Sequence, residues 1–191
     1  MVEQNDRPLI LASGSPRRRE LLAKMGYTFE ICAPDVDEHV EGHARDIVCT
    51  LARRKARAAA EHRKDGIIIA SDTLVSLDGA PLGKPADARE AREMLAALSG
   101  REHEVFTGVC VLDAKTGRSE LRTVRTGVTF RDITPDEIDA YIATGEPMDK
   151  AGAYAIQGGA GPFVAALDGE FENVMGFPVP EVREMLNHFG F

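Results

Sequence analysis

Two patterns of apolar residues alternate along the chain, one typical of buried strands and one of helices. Short apolar or β-branched runs predict strands at 9–12, 28–32, 67–69, 103–113, 118–132 and 163–167. Apolar stripes at helical spacing predict helices that begin behind Ser15, span 46–62 and 88–98, lie within 133–145 and start near residue 180. Because no linker, repeat or low-complexity segment interrupts this alternation, the sequence predicts one α/β domain over residues 1–191 with a mixed sheet.

The charge balance of the chain limits its partners. Its 191 residues carry 23 basic and 31 acidic side chains, a formal net charge of −8, so we expect neither nucleic acid nor a membrane as a partner. The sequence contains no run of about 18 apolar residues, and its first ten residues lack the basic-then-apolar layout of a signal peptide. The cysteines are far apart and form no C-x-x-C pair, which predicts reduced, mostly buried thiols in a cytoplasmic protein: Cys32, Cys49 and Cys110.

A cluster of arginines stands at a helix start, where positive charge is unfavourable. In SGSPRRRELL, Ser15 is the expected N-cap and Pro16 the first helical residue, so the three arginines lie at the positive pole of the helix dipole. Helical spacing places Arg17 and Arg18 above the apolar face and Arg19 away from it. Free helix N–H groups beside two arginines predict an anion pocket; the alternative is a solvated basic turn paired with nearby carboxylates.

Two lysines are further candidates for binding an anion. Lys55 falls inside the apolar stripe of the second helix, between Val48 and Leu51, so its ammonium either extends past the core to water or points toward an interior anion. Lys84 follows a glycine in GAPLGKP, but the spacing is one residue short of a P-loop, and Pro85 replaces the Ser or Thr that would hold Mg²⁺. The sequence therefore predicts separate cationic points and not one phosphate-binding loop.

Carboxylates occur in two places that suit catalysis or metal binding. Asp72 and Thr73 are expected at the carboxyl end of a strand, where α/β sheets place ligands; for a lone aspartate, a turn or capping role is the alternative. The segment DVDEHVEGH contributes Glu38, two further acidic side chains before it and two histidines. Its two histidines have the H-x-x-x-H spacing of a zinc site, but the segment has no helical pattern and its glutamate is not at the position that the zinc motif requires. We therefore favour a site in which carboxylate oxygens bind Mg²⁺ or Mn²⁺.

A glycine-rich loop, GEPMDKAGAYAIQGGAGP, carries a primary amide at Gln157. Glycines let a backbone approach a ligand closely, and an amide offers both a donor and an acceptor to the edge of a nucleobase. An ordinary flexible loop would have the same composition. Together with cations in an acidic protein, these residues indicate a phosphate-ester hydrolase or a nucleotide binder.

Several long motifs in a fixed order resemble the Maf family of nucleoside triphosphate pyrophosphatases. They run nearly the length of the chain, as LASGSPRRRELL, the DVDE loop, LARRKA, SDTLV, LGKP, LSGREHEVFTG, EPMDKAGAYAIQG and NVMGFP. The resemblance implies an elongated Maf/ITPase-like α/β fold in which helices flank a mixed sheet and a cleft separates two lobes. It also implies a homodimer, and metal-dependent hydrolysis of a nucleoside triphosphate to the monophosphate and pyrophosphate.

The same resemblance implies a role for each candidate residue. Asp72 would be the proton acceptor that activates water, and Glu38 would assist catalysis or metal binding, with both carboxylates as candidate ligands of a divalent cation. Phosphate binding is implied for Ser13, Arg17, Arg18, Lys55 and Lys84.

Three positions separate the base preferences within the family. Members resembling the dTTP/UTP enzymes have Arg, Thr and Gln where those resembling the 7-methyl-GTP enzymes have Trp, Gln and Glu; this chain has Arg17, Thr73 and Gln157. The resemblance thus implies hydrolysis of dTTP and UTP, and of modified pyrimidine nucleotides as further candidates, in house-cleaning of the nucleotide pool with a link to cell division arrest. The alternatives are the same chemistry on 7-methyl-GTP or another base, or a nucleotide-binding regulator of septum formation without turnover.

Overall fold

The strands and helices follow one another in the order that the sequence predicts, with two additions. The computed structural model describes residues 7–191; residues 1–6, part of the segment in which a signal peptide was sought, lie outside the described residues. The strands are β1 (Leu9–Leu11), β2 (Glu30–Ile31), β3 (Ile67–Leu77), β4 (Ala80–Leu82), β5 (Glu102–Asp113), β6 (Ser119–Phe130) and β7 (Val164–Asp168). The helices are α1 (Pro16–Lys24), α2 (Ala44–Ala60), α3 (Ala88–Leu98), α4 (Pro135–Ala143), α5 (Phe171–Val174) and α6 (Val179–His188).

The short elements β4 and α5 carry no signal that the sequence pattern revealed. The glycine-rich loop is also more regular than predicted, since it contains three 3₁₀ turns at Glu146–Asp149, Ala151–Ala153 and Gly161–Phe163. Among residues 7–191, no helix combines the length and the apolar character that a bilayer crossing requires.

The seven strands form one mixed sheet in the order β2-β1-β3-β5-β6-β7, with β4 paired to β3. Strand β1 pairs in parallel with β2 and β3, whereas the remaining pairs are antiparallel. Helices pack against this sheet, so the prediction of a mixed α/β sheet flanked by helices is confirmed.

Asp72 lies in the middle of β3, so its predicted place at a strand end is wrong. Strand β1 pairs with β3 only as far as Ile69, while the backbone of Asp72 pairs with Gly108 of β5 on the other side. Strand β3 continues to Leu77 because β4 and β5 still offer it hydrogen-bonding partners. Because β1 has already ended, the side of β3 next to Asp72 is left open.

Alternation along the strands divides the core between the two faces of the sheet. Leu9 and Leu11 pack on one face with α1 and α6, whereas Ile10 and Ala12 pack on the other face with α2. A third cluster joins the far half of β3 to α3, α4 and the glycine-rich segment. The capping box predicted for α4 is present, because Thr134 and Glu137 each accept a hydrogen bond from the other's backbone N–H.

The cysteines are all free, but only one of them is buried. Cys110 lies inside the sheet, where burial raises the pKa of its thiol to about 11, while Cys32 and Cys49 are half-buried. The prediction of mostly buried thiols is therefore wrong for Cys32 and Cys49.

A histidine is buried within the third cluster. The side chain of His103 is 2% exposed, its Nε2 lies 2.8 Å from the hydroxyl of Tyr154, and its ring meets Phe130 edge to face. Burial lowers the pKa of His103 to about 4, so the ring is neutral in the folded protein at neutral pH.

We expect this histidine to make the fold sensitive to acid. An unfolded histidine binds a proton near pH 6.5, whereas folded His103 does so only near pH 4. The free energy of unfolding should therefore fall as the pH drops from 6.5 to 4.5, by about 2 kcal/mol from this group. Urea unfolding of the wild type and of His103→Gln at both pH values measures the effect; parallel pH dependences of the two proteins would contradict it.

Candidate active site

One cleft of about 1030 Å³ contains every residue to which the family resemblance assigns a role. It lies between the carboxyl end of β1, the acidic loop before α2, the middle of β3 and the glycine-rich segment. The side chains that line it include Ser13, Arg17, Arg18, Glu38, Lys55, Asp72, Thr73, Lys84 and Gln157. The structure thus brings these residues together, while the role of each remains a prediction.

Helix α2 lies close to the sheet, and this approach places Lys55 in the cleft. At Gly108 of β5, an added Cβ would lie 2.5 Å from the backbone oxygen of Val48, so a larger residue there would push the helix away. Small residues, Ala52 and Ala56, continue the buried face of α2. Lys55 on this helix therefore reaches the middle of β3.

Lys55 joins two carboxylates at the floor of the cleft. Its Nζ lies 2.7 Å from Oδ1 of Asp72 and 2.8 Å from Oε1 of Glu38. The side chains of Lys55 and Asp72 are 14% and 12% exposed, whereas Glu38 is 56% exposed. Of the two interpretations of Lys55, the inward one is correct, but its anions are side chains of the protein itself.

The charges around Glu38 keep it ionised. The hydrogen bond from Lys55 is the largest cause that lowers the pKa of Glu38, and the charges of Lys84 and Arg18 lower it further. Glu38 therefore faces the cleft as a carboxylate at neutral pH, held at one oxygen by an ammonium.

Arg18 is the most heavily hydrogen-bonded of the cleft cations. Its Nε donates to Gly176 O at 3.0 Å, Nη1 donates to Ser71 O at 2.8 Å and to Ser13 Oγ at 3.3 Å, and Nη2 donates to Thr73 Oγ1 at 3.2 Å. Four N–H groups of its guanidinium thus already have protein acceptors. Arg18 ties α1 to β3 and to the turn after α5.

Arg17 and Lys84 differ from Arg18 because their charged groups have no such partners. Within residues 7–191, neither side chain makes a hydrogen bond or an ion pair, although both line the cleft. Ser15 is the N-cap of α1 and Pro16 its first residue, as predicted, but the Ser15 side chain accepts no hydrogen bond there. A helix start without a side-chain cap, beside an unpaired Arg17, suits an anionic ligand.

The hydroxyl of Thr73 has a defined direction. Thr107 Oγ1 donates its only proton to Asn173 O at 2.9 Å, so the contact of 2.9 Å between Thr73 Oγ1 and Thr107 Oγ1 requires Thr73 to donate. Thr73 in turn accepts from Arg18. Asn173 is fully buried and donates to Val105 O, so this network links β3 and β5 to α5.

Glu146 and Lys150, to which the sequence analysis assigned no role, also line the cleft. Glu146 accepts the backbone N–H of Gly159 at 2.9 Å, and Lys150 pairs with its neighbour Asp149. Both belong to the motif EPMDKAG, but an Asp-Lys pair and a lone glutamate in a loop carry no signal that separates them from surface charges.

Comparison with known proteins agrees with these observations. The profile of the family described as "Maf-like protein" matches residues 8–189. A "dTTP/UTP pyrophosphatase" of Moorella thermoacetica is 50% identical over 184 residues, which cover 95% of each chain. A protein with the same name from Desulforamulus reducens is 47% identical, over 96% of this chain and 97% of its own. Another, from Bdellovibrio bacteriovorus, is 46% identical, over 95% of this chain and 98% of its own. The chain belongs to the Maf family.

Proposed function

We propose that this protein is a nucleoside triphosphate pyrophosphatase that hydrolyses dTTP and UTP to the monophosphate and pyrophosphate. The observation that carries the proposal is the convergence of Asp72 and Glu38 on Lys55, in a cleft that also contains unpaired Arg17 and Lys84. The names of the similar proteins from three bacteria support the same activity and substrates.

The side chains of the cleft divide the reaction between them. Arg17, Lys84 and the start of α1 bind the phosphates, because they offer positive charge and N–H groups that the protein leaves unpaired. Asp72 accepts the proton of a water molecule, whose oxygen attacks phosphorus as the α–β phosphoanhydride bond breaks. Lys55 holds Asp72 in place, and Ser13 and Arg18 complete the phosphate side of the cleft.

The donor set of the cleft fits a divalent cation that arrives with the triphosphate. Glu38 and Asp72 both place a carboxylate oxygen within 3 Å of the Lys55 ammonium, so the two carboxylates are close enough to offer oxygen ligands beside that ammonium. Mg²⁺ commonly uses one or two carboxylates plus phosphates and water, and Mn²⁺ accepts the same ligands. Residues 7–191 contain no group of three acidic, His or Cys side chains that would hold a metal without substrate. When bound, the cation neutralises charge that develops on the phosphates.

Base selection is assigned to Arg17, Thr73 and Gln157. Thr73 presents a hydroxyl whose donor and acceptor are both used within the protein, so its contribution is to shape the cleft and to orient Arg18. Gln157 is exposed at the rim, where its amide can pair with a pyrimidine edge.

We further propose that the chain forms one domain, acts in the cytoplasm as a homodimer and binds neither nucleic acid nor membrane. Free cysteines and an acidic composition support the cytoplasm and the absence of polyanionic partners, and the resemblance to the family supports the dimer.

A panel of nucleoside triphosphates with Mg²⁺ or Mn²⁺ tests the proposed function. Release of pyrophosphate and monophosphate from dTTP and UTP, with little from GTP or 7-methyl-GTP, is the expected result. Preferential hydrolysis of 7-methyl-GTP would contradict the base assignment and leave the chemistry intact. Binding of nucleotide without turnover would contradict the enzyme and favour a regulator.

A further inference from the structure

The segment Tyr154–Gly159, which carries Gln157, is attached to the protein on both sides of that glutamine. Before it, the backbone N–H of Ala155 donates to the hydroxyl of Tyr141 at 3.0 Å. After it, the backbone N–H of Gly159 donates to Oε2 of Glu146 at 2.9 Å. Gln157 therefore projects from a short span of chain between two fixed points.

The carboxylate of Glu146 lies against the backbone of this segment, and glycines make the contact possible. A Cβ at Gly158 would lie 2.1 Å from Oε1 of Glu146, and a Cβ at Gly159 would lie 2.9 Å from the ring of Tyr141. Neither distance occurs for real Cβ atoms, so side chains at these positions would displace the segment or the residues that hold it. The two glycines after Gln157 are thus matched to Glu146 and Tyr141.

Glu146 and Tyr141 also act on each other. Burial, followed by the nearby Glu146 carboxylate, raises the pKa of the Tyr141 hydroxyl above its ordinary value, so Tyr141 keeps its proton. The oxygen of this hydroxyl accepts the N–H of Ala155. The Glu146 carboxylate thus forms one attachment point of the segment, at Gly159, and lies beside the tyrosine that forms the other.

Firm attachment matters because an amide alone discriminates poorly between pyrimidines. Uracil and thymine present an N–H donor beside a carbonyl acceptor, whereas cytosine presents a ring acceptor beside an amino donor. A glutamine amide offers both groups and can present either one by rotating about its terminal side-chain bond, so discrimination also depends on where the backbone places the amide relative to the base. Selectivity requires that the position of the amide be fixed.

We propose that Glu146 is a positioning residue for base selection, which fixes the backbone after Gln157 by accepting the N–H of Gly159. The inference rests on the proposed function, in which Gln157 contacts the base. Within residues 7–191, Glu146 forms no hydrogen bond or ion pair with Lys55 or with the two carboxylates that Lys55 joins.

The test compares Glu146→Ala with Glu146→Gln. Alanine removes the acceptor of the Gly159 N–H, so the ratio of kcat/KM for UTP to that for CTP should fall about tenfold, equivalent to roughly 1.4 kcal/mol. The larger change should be in KM for UTP and the smaller in kcat. The glutamine side chain keeps an amide oxygen as acceptor, so this variant should retain most of the discrimination.

Hydrogen exchange of the ligand-free protein provides a readout that needs no substrate. Backbone amides of the segment should exchange faster in Glu146→Ala than in Glu146→Gln. Asp65→Ala is the matched control, because Oδ1 of Asp65 accepts the N–H of Gly66 at 2.8 Å far from the cleft. It should leave both the UTP-to-CTP ratio and the exchange of the segment unchanged.

A wild-type ratio of kcat/KM for UTP to that for CTP in Glu146→Ala would overturn the inference. Equal losses of this ratio in the alanine and glutamine variants would also overturn it, because the negative charge and not the hydrogen-bond acceptor would then be what matters. Failure of the wild type to hydrolyse UTP would instead overturn the proposed function. The exchange comparison separates the two cases, because it measures the attachment of the segment directly.

Discussion

Asp72→Asn should reduce hydrolysis of UTP and dTTP by about 10²–10⁴-fold while leaving nucleotide binding in place. Asparagine has nearly the shape of aspartate, but its amide cannot take a proton from water, and general-base catalysis contributes about 10²–10⁴-fold to rate. The carboxylate is 12% exposed and is held by Lys55 at 2.7 Å, so the substitution alters one interaction at a defined position. Pyrophosphate release measures the rate, and calorimetric titration with UTP measures binding.

Asp78, the residue that follows strand β3, provides the control. Asp78 lies in the turn between β3 and β4, pairs with Arg101 at the surface and has a positive φ of 51°, which asparagine also tolerates. Asp78→Asn should therefore hydrolyse UTP at the wild-type rate. A wild-type rate in Asp72→Asn would show that Asp72 is not the proton acceptor.

Local patterns predicted the elements well where a helix or strand is decided by its own residues. The capping box at Thr134 is complete within four residues, and the alternation in β5 and β6 marks both strands without reference to their partners. Strand β3 is different, because Ser71, Asp72 and Ser76 interrupt its apolar run although all three are buried. These polar residues remain in a strand because β5 pairs with them, and pairing across 30 residues is not visible in local pattern.

The candidate residues were predictable, but their contacts were not. Arg17 and Arg18 are adjacent on the same helix start, and nothing in the sequence separates them. The difference comes from Gly176 O and Ser71 O, which belong to distant parts of the chain and accept hydrogen bonds from Arg18 but not from Arg17. Lys55 was ambiguous for the same reason, since its partners lie on β3 and in the acidic loop. Glu146 escaped notice because its function depends on the backbone of Gly159, which carries no side-chain signal.

Lys55→Met should reduce kcat/KM for UTP by about 10²–10³-fold, the usual cost of removing one preorganised charged donor from an active site. Methionine keeps the length and apolar stem of lysine within the stripe of α2, so packing against the sheet changes little. Without the ammonium, Asp72 and Glu38 would face each other unscreened, and a triphosphate would bring further negative charge to the same place. Steady-state kinetics with UTP and Mg²⁺ measure the loss.

Lys64→Met is the matched control, because Lys64 is exposed and lies outside the cleft. It removes the same charge from the protein as a whole, so any effect of net charge on the approach of nucleotide appears in both variants. Similar losses in the two variants would show that Lys55 acts only through overall charge. If only Lys55→Met loses kcat/KM, the reaction requires the ammonium that lies between Asp72 and Glu38. The change in net charge cannot explain such a result, because Lys64→Met has the same net charge.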